Sequence, residues 1–164
     1  MKLHLDLDGI DFQLGIYKYQ PSTMEKWDNE WTWVELSAVS KDWLNFNLKS
    51  EVLLSCEVET LRDKLKDLLN DNLKQTEYIS FIEPDLEFML APKQPLCGRL
   101  SQYSGTYAEL TINTWSDGLT GNRIILLLDD DDIQMLLSYL ELITGITDEN
   151  DNYIKDLKAK RHIL

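Results

Sequence analysis

Apolar and polar residues alternate with a period of two along most of this chain, the pattern of half-buried β-strands. Leu3, Leu5 and Leu7 alternate with polar residues, Asp8-Gly9 supplies a turn, and Phe12, Leu14 and Ile16 resume the alternation, so the start reads as a hairpin. A loop around Pro21 to Asn29 precedes a segment in which Trp31, Trp33, Glu35 and Ser37 share one face and Thr32, Val34, Leu36 and Ala38 the other. Apolar residues on both faces predict a strand covered at least in part on both sides. Lys41-Asp42 forms a short turn, and Trp43, Asn45 and Asn47 then alternate with Leu44, Phe46 and Leu48.

The period changes at Cys56. From there to Asn70, Val58, Leu61, Leu65, Leu68 and Leu69 recur at helical spacing and form one apolar stripe. Ser55 is the expected N-cap, with Glu57 and Glu59 in the first turn, where the helix dipole favours anions. Asn70 and Asn72 are the expected stop residues. Alternation returns at Tyr78, Ser80 and Ile82 against Ile79 and Phe81, breaks at Pro84, and restarts with Leu86, Phe88 and Leu90. Proline cannot donate to a β-ladder, so Glu83-Pro84-Asp85 reads as a tight connection or an edge bulge. Ala91 to Gly105, with Pro92, Pro95, Gly98 and Gly105, reads as a long loop. Ala108 to Trp115 and Arg123 to Leu128 predict a last hairpin, with Asp117-Gly118 and Gly121-Asn122 at its turn. A second helix follows: Asp130 to Asp132 fill its N-terminus, Ile133, Leu136, Leu137, Leu140 and Ile143 form its stripe, and Gly145 ends it.

The predicted order is ββββ-α-ββββ-α. Short connections imply antiparallel neighbours, so the expected class is α+β: about eight mainly antiparallel strands with two amphipathic helices packed on the sheet. Residues 1–145 read as one domain, and residues 146–164 as a polar C-terminal tail, helical or partly disordered. At 164 residues the chain can bury roughly 70% of the surface its unfolded form exposes, and needs no disulfide or metal to fold.

Charge narrows the function. The chain has 16 basic and 29 acidic side chains, a net charge of −13, and a pI near 4.4. The tail carries four acidic and four basic residues, so the whole −13 falls on residues 1–145. Such a surface repels a phosphate backbone and an anionic membrane, and favours a basic protein partner. The first residues lack the apolar core of a secretion signal, and the longest apolar run, Ile124 to Leu128, is far short of the ~18 residues of a membrane span. The expected compartment is the cytoplasm, where Cys56 and Cys97 are expected to be reduced, buried thiols.

The residues offer no catalytic constellation. His4 and His162 stand at opposite ends of the chain, and no CxxC, HxxxH or HExxH spacing supports a zinc site. No glycine-rich phosphate loop or GxSxG elbow is present, so no catalytic residue, metal or cofactor is assigned. The one conspicuous cluster is Asp129, Asp130, Asp131 and Asp132. It lacks the alternating ligands, central glycine and closing glutamate of a calcium loop. Capping the second helix needs one or two of these aspartates, and four adjacent carboxylates repel one another. Two readings stand for the run: capping and dipole complementation of the second helix, and, for the surplus, an anionic contact surface for a basic partner. Trp27, Asp28 and Glu30 form a second candidate contact, an aromatic-acidic mixture with Trp27 as the possible anchor.

Three stretches resemble the WapI-type immunity proteins, small acidic bacterial proteins encoded beside polymorphic, contact-dependent toxins. They are Trp27 to Leu36, an acidic loop and a strand led by Trp31; Trp43 to Leu61, a strand, Leu53-Leu54-Ser55 and a Glu-containing helix; and Phe81-Ile82-Glu83-Pro84-Asp85-Leu86-Glu87-Phe88. The last is similar to the family's Phe-x-Glu-Pro-x-Leu-x-Phe signature, and Phe81, Glu83, Pro84, Leu86 and Phe88 read as architectural, as does Trp31. Two departures, Cys56-Glu57 in place of a Trp-Glu pair and leucines in place of an aromatic near the helix end, leave the toxin class open. The resemblance implies a non-enzymatic inhibitor of a cognate, basic toxin domain, with nucleases among the candidate toxins. Two rival readings are an acidic adaptor or DNA-mimic that binds another basic protein, and a small enzyme using carboxylates and a divalent metal. The oligomeric state is left open.

Overall fold

The computed structural model describes residues 1–22, 30–93, 105–115 and 118–164. Its elements run β1 (Leu3–Leu7), β2 (Ile10–Tyr17), β3 (Trp31–Ser40), β4 (Leu44–Leu54), α1 (Ser55–Leu69), β5 (Glu77–Ser80), β6 (Leu86–Ala91), β7 (Tyr107–Trp115), β8 (Leu119–Leu128), α2 (Asp130–Ile143) and α3 (Asn152–Ala159). The class is α+β, as expected. The strands form two four-stranded antiparallel sheets, ordered β1-β2-β3-β4 and β5-β6-β7-β8. The chain divides into two compact units, Met1–Arg62 with Met135–Leu164, and Asp63–Gln134.

In the first unit the register puts apolar residues opposite one another across the sheet. Leu14 pairs with Leu3 and Leu36, Phe12 with Leu5 and Ala38, and Ile16 with Val34, and these side chains are buried. This is one sheet face shielded from water by the period-two pattern. At the far end of β4 three consecutive residues, Val52, Leu53 and Leu54, are buried. A bulge explains this. Trp33 pairs with Glu51 and Thr32 with Leu53, so Val52 is the extra residue, and the buried Thr32 hydroxyl donates to the Leu53 carbonyl at 2.8 Å. Tyr139 of α2, fully buried, accepts a hydrogen bond from the Ile16 N–H at 2.8 Å.

Residues 146–164 carry the third helix. Asp151 caps α3 by accepting from the N–H groups of Tyr153 and Ile154. Ile154, Leu157 and Ile163 are buried in a cluster with Met135 and Leu142. The last residues then run along β1, where His4 N–H donates to His162 O at 2.8 Å and Leu164 N–H to Lys2 O at 2.8 Å. The two histidines, placed far apart by the sequence, are therefore neighbours: His162 Nδ1 lies 3.2 Å from His4 O. The tail covers the edge of β1, which an open sheet leaves available for pairing with another chain.

In the second unit Leu86, Phe88 and Leu90 of β6, Ala108, Leu110 and Ile112 of β7, and Leu126 and Leu128 of β8 are buried on one face of the sheet. Strand β8 starts at Leu119, earlier than the expected Arg123, so Gly121-Asn122 lies within a strand. Thr114 and Thr120 fasten this irregular end: their hydroxyls are 2.8 Å apart, and each donates to a carbonyl across the hairpin. Strand β5 is shorter than expected and leaves Ile82 outside it, exposed.

Several helix ends differ from their expected form. Ser55 is the first residue of α1 rather than its cap; its hydroxyl donates to Glu30 O and accepts from Gln20 N–H. Glu57 instead reaches back to the Leu54 N–H at 2.8 Å. Asp71, with φ +58°, ends the same helix: Asn72 N–H bonds Asp67 O and Asp71 N–H bonds Leu68 O. Gly145 closes α2 in the same way, as expected. Cys56 is exposed, contrary to the expected burial, because it stands about 200° around the helix from Val58 on the stripe that faces inward. Cys97 lies outside the described residues.

Candidate functional site

The four aspartates separate into two pairs. Asp129 is the N-cap of α2, its Oδ1 accepting from Asp131 N–H at 2.9 Å and Asp132 N–H at 3.0 Å. Asp132 returns the contact, its Oδ2 accepting from Asp129 N–H at 3.2 Å, which completes a reciprocal capping box. Burial pushes the Asp132 carboxyl up to about 6, and the neighbouring Asp129 and Asp131 charges add to the shift against the Asp129 backbone hydrogen bond. Asp130 and Asp131 are exposed, and among the described residues neither carboxylate accepts a hydrogen bond or pairs with a cation. Capping thus uses two of the four and leaves two for solvent. Among the described residues, no three His, Cys, Asp or Glu side chains converge where a metal ion could sit.

Trp27 and Asp28 lie outside the described residues. Glu30 is half-buried, and its carbonyl anchors the start of α1 by accepting from Ser55 N–H and Oγ. Asp129 to Asp132 belong to the second unit and Glu30 to the first. Glu59 of α1 holds Tyr19 and Ser22 by accepting from Tyr19 Oη at 2.7 Å and from Ser22 N–H and Oγ. Burial opposes ionisation of Glu59, but the Ser22 and Tyr19 hydrogen bonds outweigh it and hold the carboxyl below its ordinary range.

The Glu-Pro signature forms a tight connection between β5 and β6. Phe81 and Phe88 are buried and meet edge to face, with ring centroids 6.2 Å apart at 79°, and Leu86 is buried beside them in sequence. Asn113 clamps the turn: its Nδ2 donates to Pro84 O at 2.6 Å and its backbone N–H to Asp85 O at 2.9 Å. Burial raises the Asp85 carboxyl, and the Glu83 charge adds to that, while a hydrogen bond from Trp115 opposes it. Trp31 is half-buried at the start of β3, opposite Leu54.

Sequence reasoning missed one surface. The outward positions of the second sheet form rows across the strands, Tyr78–Met89–Glu109–Leu127 and Ser80–Glu87–Thr111–Ile125. Tyr78 is 77% exposed, Leu127 60% and Ile125 48%. Tyr78 and Ile125, with Glu87, Glu109 and Arg123, border a shallow groove of about 230 Å³, and Leu127 is the next outward position along β8. The signal was present in the run Ile124 to Leu128. Five apolar residues in a row on a strand must place some of them opposite the core-facing set.

The outer face of the first sheet is different in kind. Glu35 pairs with Lys2 at 2.8 Å and Lys49 at 3.7 Å, Lys18 lies 5.6 Å from the centre of the Trp33 ring, and its Nζ is 3.9 Å from Glu51. Glu35 and Glu51 thus each have a lysine partner. Among the described residues Glu87 and Glu109 have no such partner.

A family model described as the immunity protein WapI-like family matches residues 3–146. No curated protein matches the chain. Among the described residues, no helix is long and apolar enough to cross a membrane.

Proposed function

The chain belongs to the immunity protein WapI-like family, and from that premise we propose that it binds and neutralises a cognate toxin domain by stoichiometric, non-covalent association in the cytoplasm. The toxin domain is basic. Nucleases are the leading class, because an enzyme acting on a polyanion presents a cationic face to its substrate. The inhibitor performs no chemistry and needs no cofactor; it has only to cover the substrate channel or a surface beside it.

The observation that carries this reading is the surplus of unmatched carboxylate. Residues 63–134 hold 13 acidic and 6 basic side chains, a net charge of −7, and Asp130 and Asp131 are exposed and not used in capping α2. Such a surface steers a cationic partner, and steered association reaches on the order of 10⁸–10⁹ M⁻¹s⁻¹ at low salt. Asp130 and Asp131 are the first contacts assigned to this role, with Glu30, Asp28 and the anchor Trp27 as a second set. Asp129 and Asp132 contribute field while holding the helix end.

Co-expression with the toxin domain encoded beside the chain tests this. The expected result is a one-to-one complex that survives purification, protection of the cell, and an association rate that falls as NaCl is raised. A toxin-expressing cell left unprotected, with no complex recovered, overturns it. Recovery of a housekeeping partner in place of the toxin supports the adaptor reading instead.

A further inference from the structure

We infer that the outer face of the β5–β8 sheet is the seat of the partner, and that its occupant is a toxin segment presenting an apolar cluster flanked by lysine or arginine. This rests on the immunity reading and names the surface that performs it.

An antiparallel sheet with one solvated face normally carries polar residues on that face. Here Leu127 and Ile125 occupy successive outward positions on β8, and Tyr78 stands on β5 at the other end of the Leu127 row. With strands about 4.8 Å apart, that four-residue row spans roughly 14 Å. Tyr107, on the same face of β7, is 44% exposed. An apolar face on β8, the edge strand of this sheet, invites aggregation unless something covers it.

Charge identifies what covers it. Glu109 lies between Met89 and Leu127, and Glu87 between Ser80 and Thr111 in the row that ends at Ile125, so two carboxylates stand on the same face as the exposed apolar side chains. Arg123 lines the same groove, a single cation beside two carboxylates, and neither glutamate forms an ion pair among the described residues, in contrast to Glu35 on the first sheet. A second copy of this chain is a poor occupant. It would bring the same two carboxylates against each other and join two molecules of net charge −13. A cationic partner with an apolar centre satisfies both features. Apolar anchors would set the dissociation rate, and Glu87 and Glu109 the register.

The test uses the full chain and the inactivated toxin domain with which wild type co-purifies. The variants are I125S/L127S, Tyr78→Ala and E87K/E109K, with Val39→Ser, exposed on the first sheet, as control. Outward positions leave the core intact, and circular dichroism and Tm verify the fold of each variant. Isothermal titration is expected to give a Kd at least ~10-fold weaker for I125S/L127S and for Tyr78→Ala, and an unchanged Kd for Val39→Ser. E87K/E109K is expected to slow association and to flatten its salt dependence. If wild type binds and the folded face variants bind as tightly, this inference falls and the immunity reading stands. If wild type forms no complex with the toxin domain, both fall. A wild-type dimer broken by I125S/L127S makes the face a self-interface and overturns the inference.

Discussion

The division of the Asp129–Asp132 run into a capping pair and a solvent pair makes a prediction that stability and association should separate along it. Asp129→Ala removes the acceptor of two backbone N–H groups, those of Asp131 and Asp132 at 2.9 and 3.0 Å. Loss of an N-cap side chain costs about 1 kcal/mol, within a range of roughly 0.5–2, because water partly replaces it at an exposed helix end. For a chain of this size, that corresponds to a Tm lower by about 2–4 °C. Asp129→Asn keeps an equally good cap and should leave Tm near wild type. The double variant D130N/D131N removes two charges without touching a capping bond, so its stability should stay within about 0.5 kcal/mol of wild type. Its association rate with the toxin domain at low salt should fall, and the difference should shrink as salt screens the field. Differential scanning calorimetry and stopped-flow fluorescence give the two readouts. Equal loss of Tm in D130N/D131N and Asp129→Ala would refute the partition, as would a Tm for Asp129→Ala equal to that of Asp129→Asn.

The same helix end predicts a pH dependence. Asp132 is raised to about 6 in the folded chain from an ordinary 3.8, so the folded state holds the extra proton: the cost of ionising Asp132 is present in full above about 6 and is gone below 3.8. Since the group is half-exposed, screening reduces that cost to about 1–2 kcal/mol; Asp132→Asn should raise Tm at pH 8 and not at pH 4, and a gain independent of pH would reject this. In the first unit, Tyr139→Phe leaves the buried Ile16 N–H without its 2.8 Å acceptor, a loss of about 1–3 kcal/mol by urea unfolding; an unchanged midpoint would show that another acceptor takes its place.

The elements were largely legible in the sequence because periodicity is a local property. Alternation at Leu3, Leu5 and Leu7 or at Leu86, Phe88 and Leu90 marks which residues share a face, and the Val58–Leu68 stripe does the same at helical spacing. Capping was also readable, in that too many aspartates stand at the start of α2 for the task. The candidate site was only partly legible. The sequence marked Asp129 to Asp132 as one cluster, whereas the backbone bonds of the folded helix end assign two to capping and leave two exposed.

What the sequence by itself determined, then, is the order of strands and helices, the α+β class and the net charge of −13. Only the tertiary structure decided how strands group and which faces stay wet. Periodicity gives β8 two faces and does not say that Ile125 and Leu127 go uncovered, because covering depends on partners remote in sequence. The C-terminal residues make the same point. Their polar composition and balanced charge describe a solvated tail, yet Ile154, Leu157 and Ile163 are three apolar residues placed to be buried, and Ile163 bridges to Leu3 across almost the whole chain. A contact so distant leaves no trace in local pattern, since it depends on burial and backbone pairing that exist only once β1 has an edge to offer.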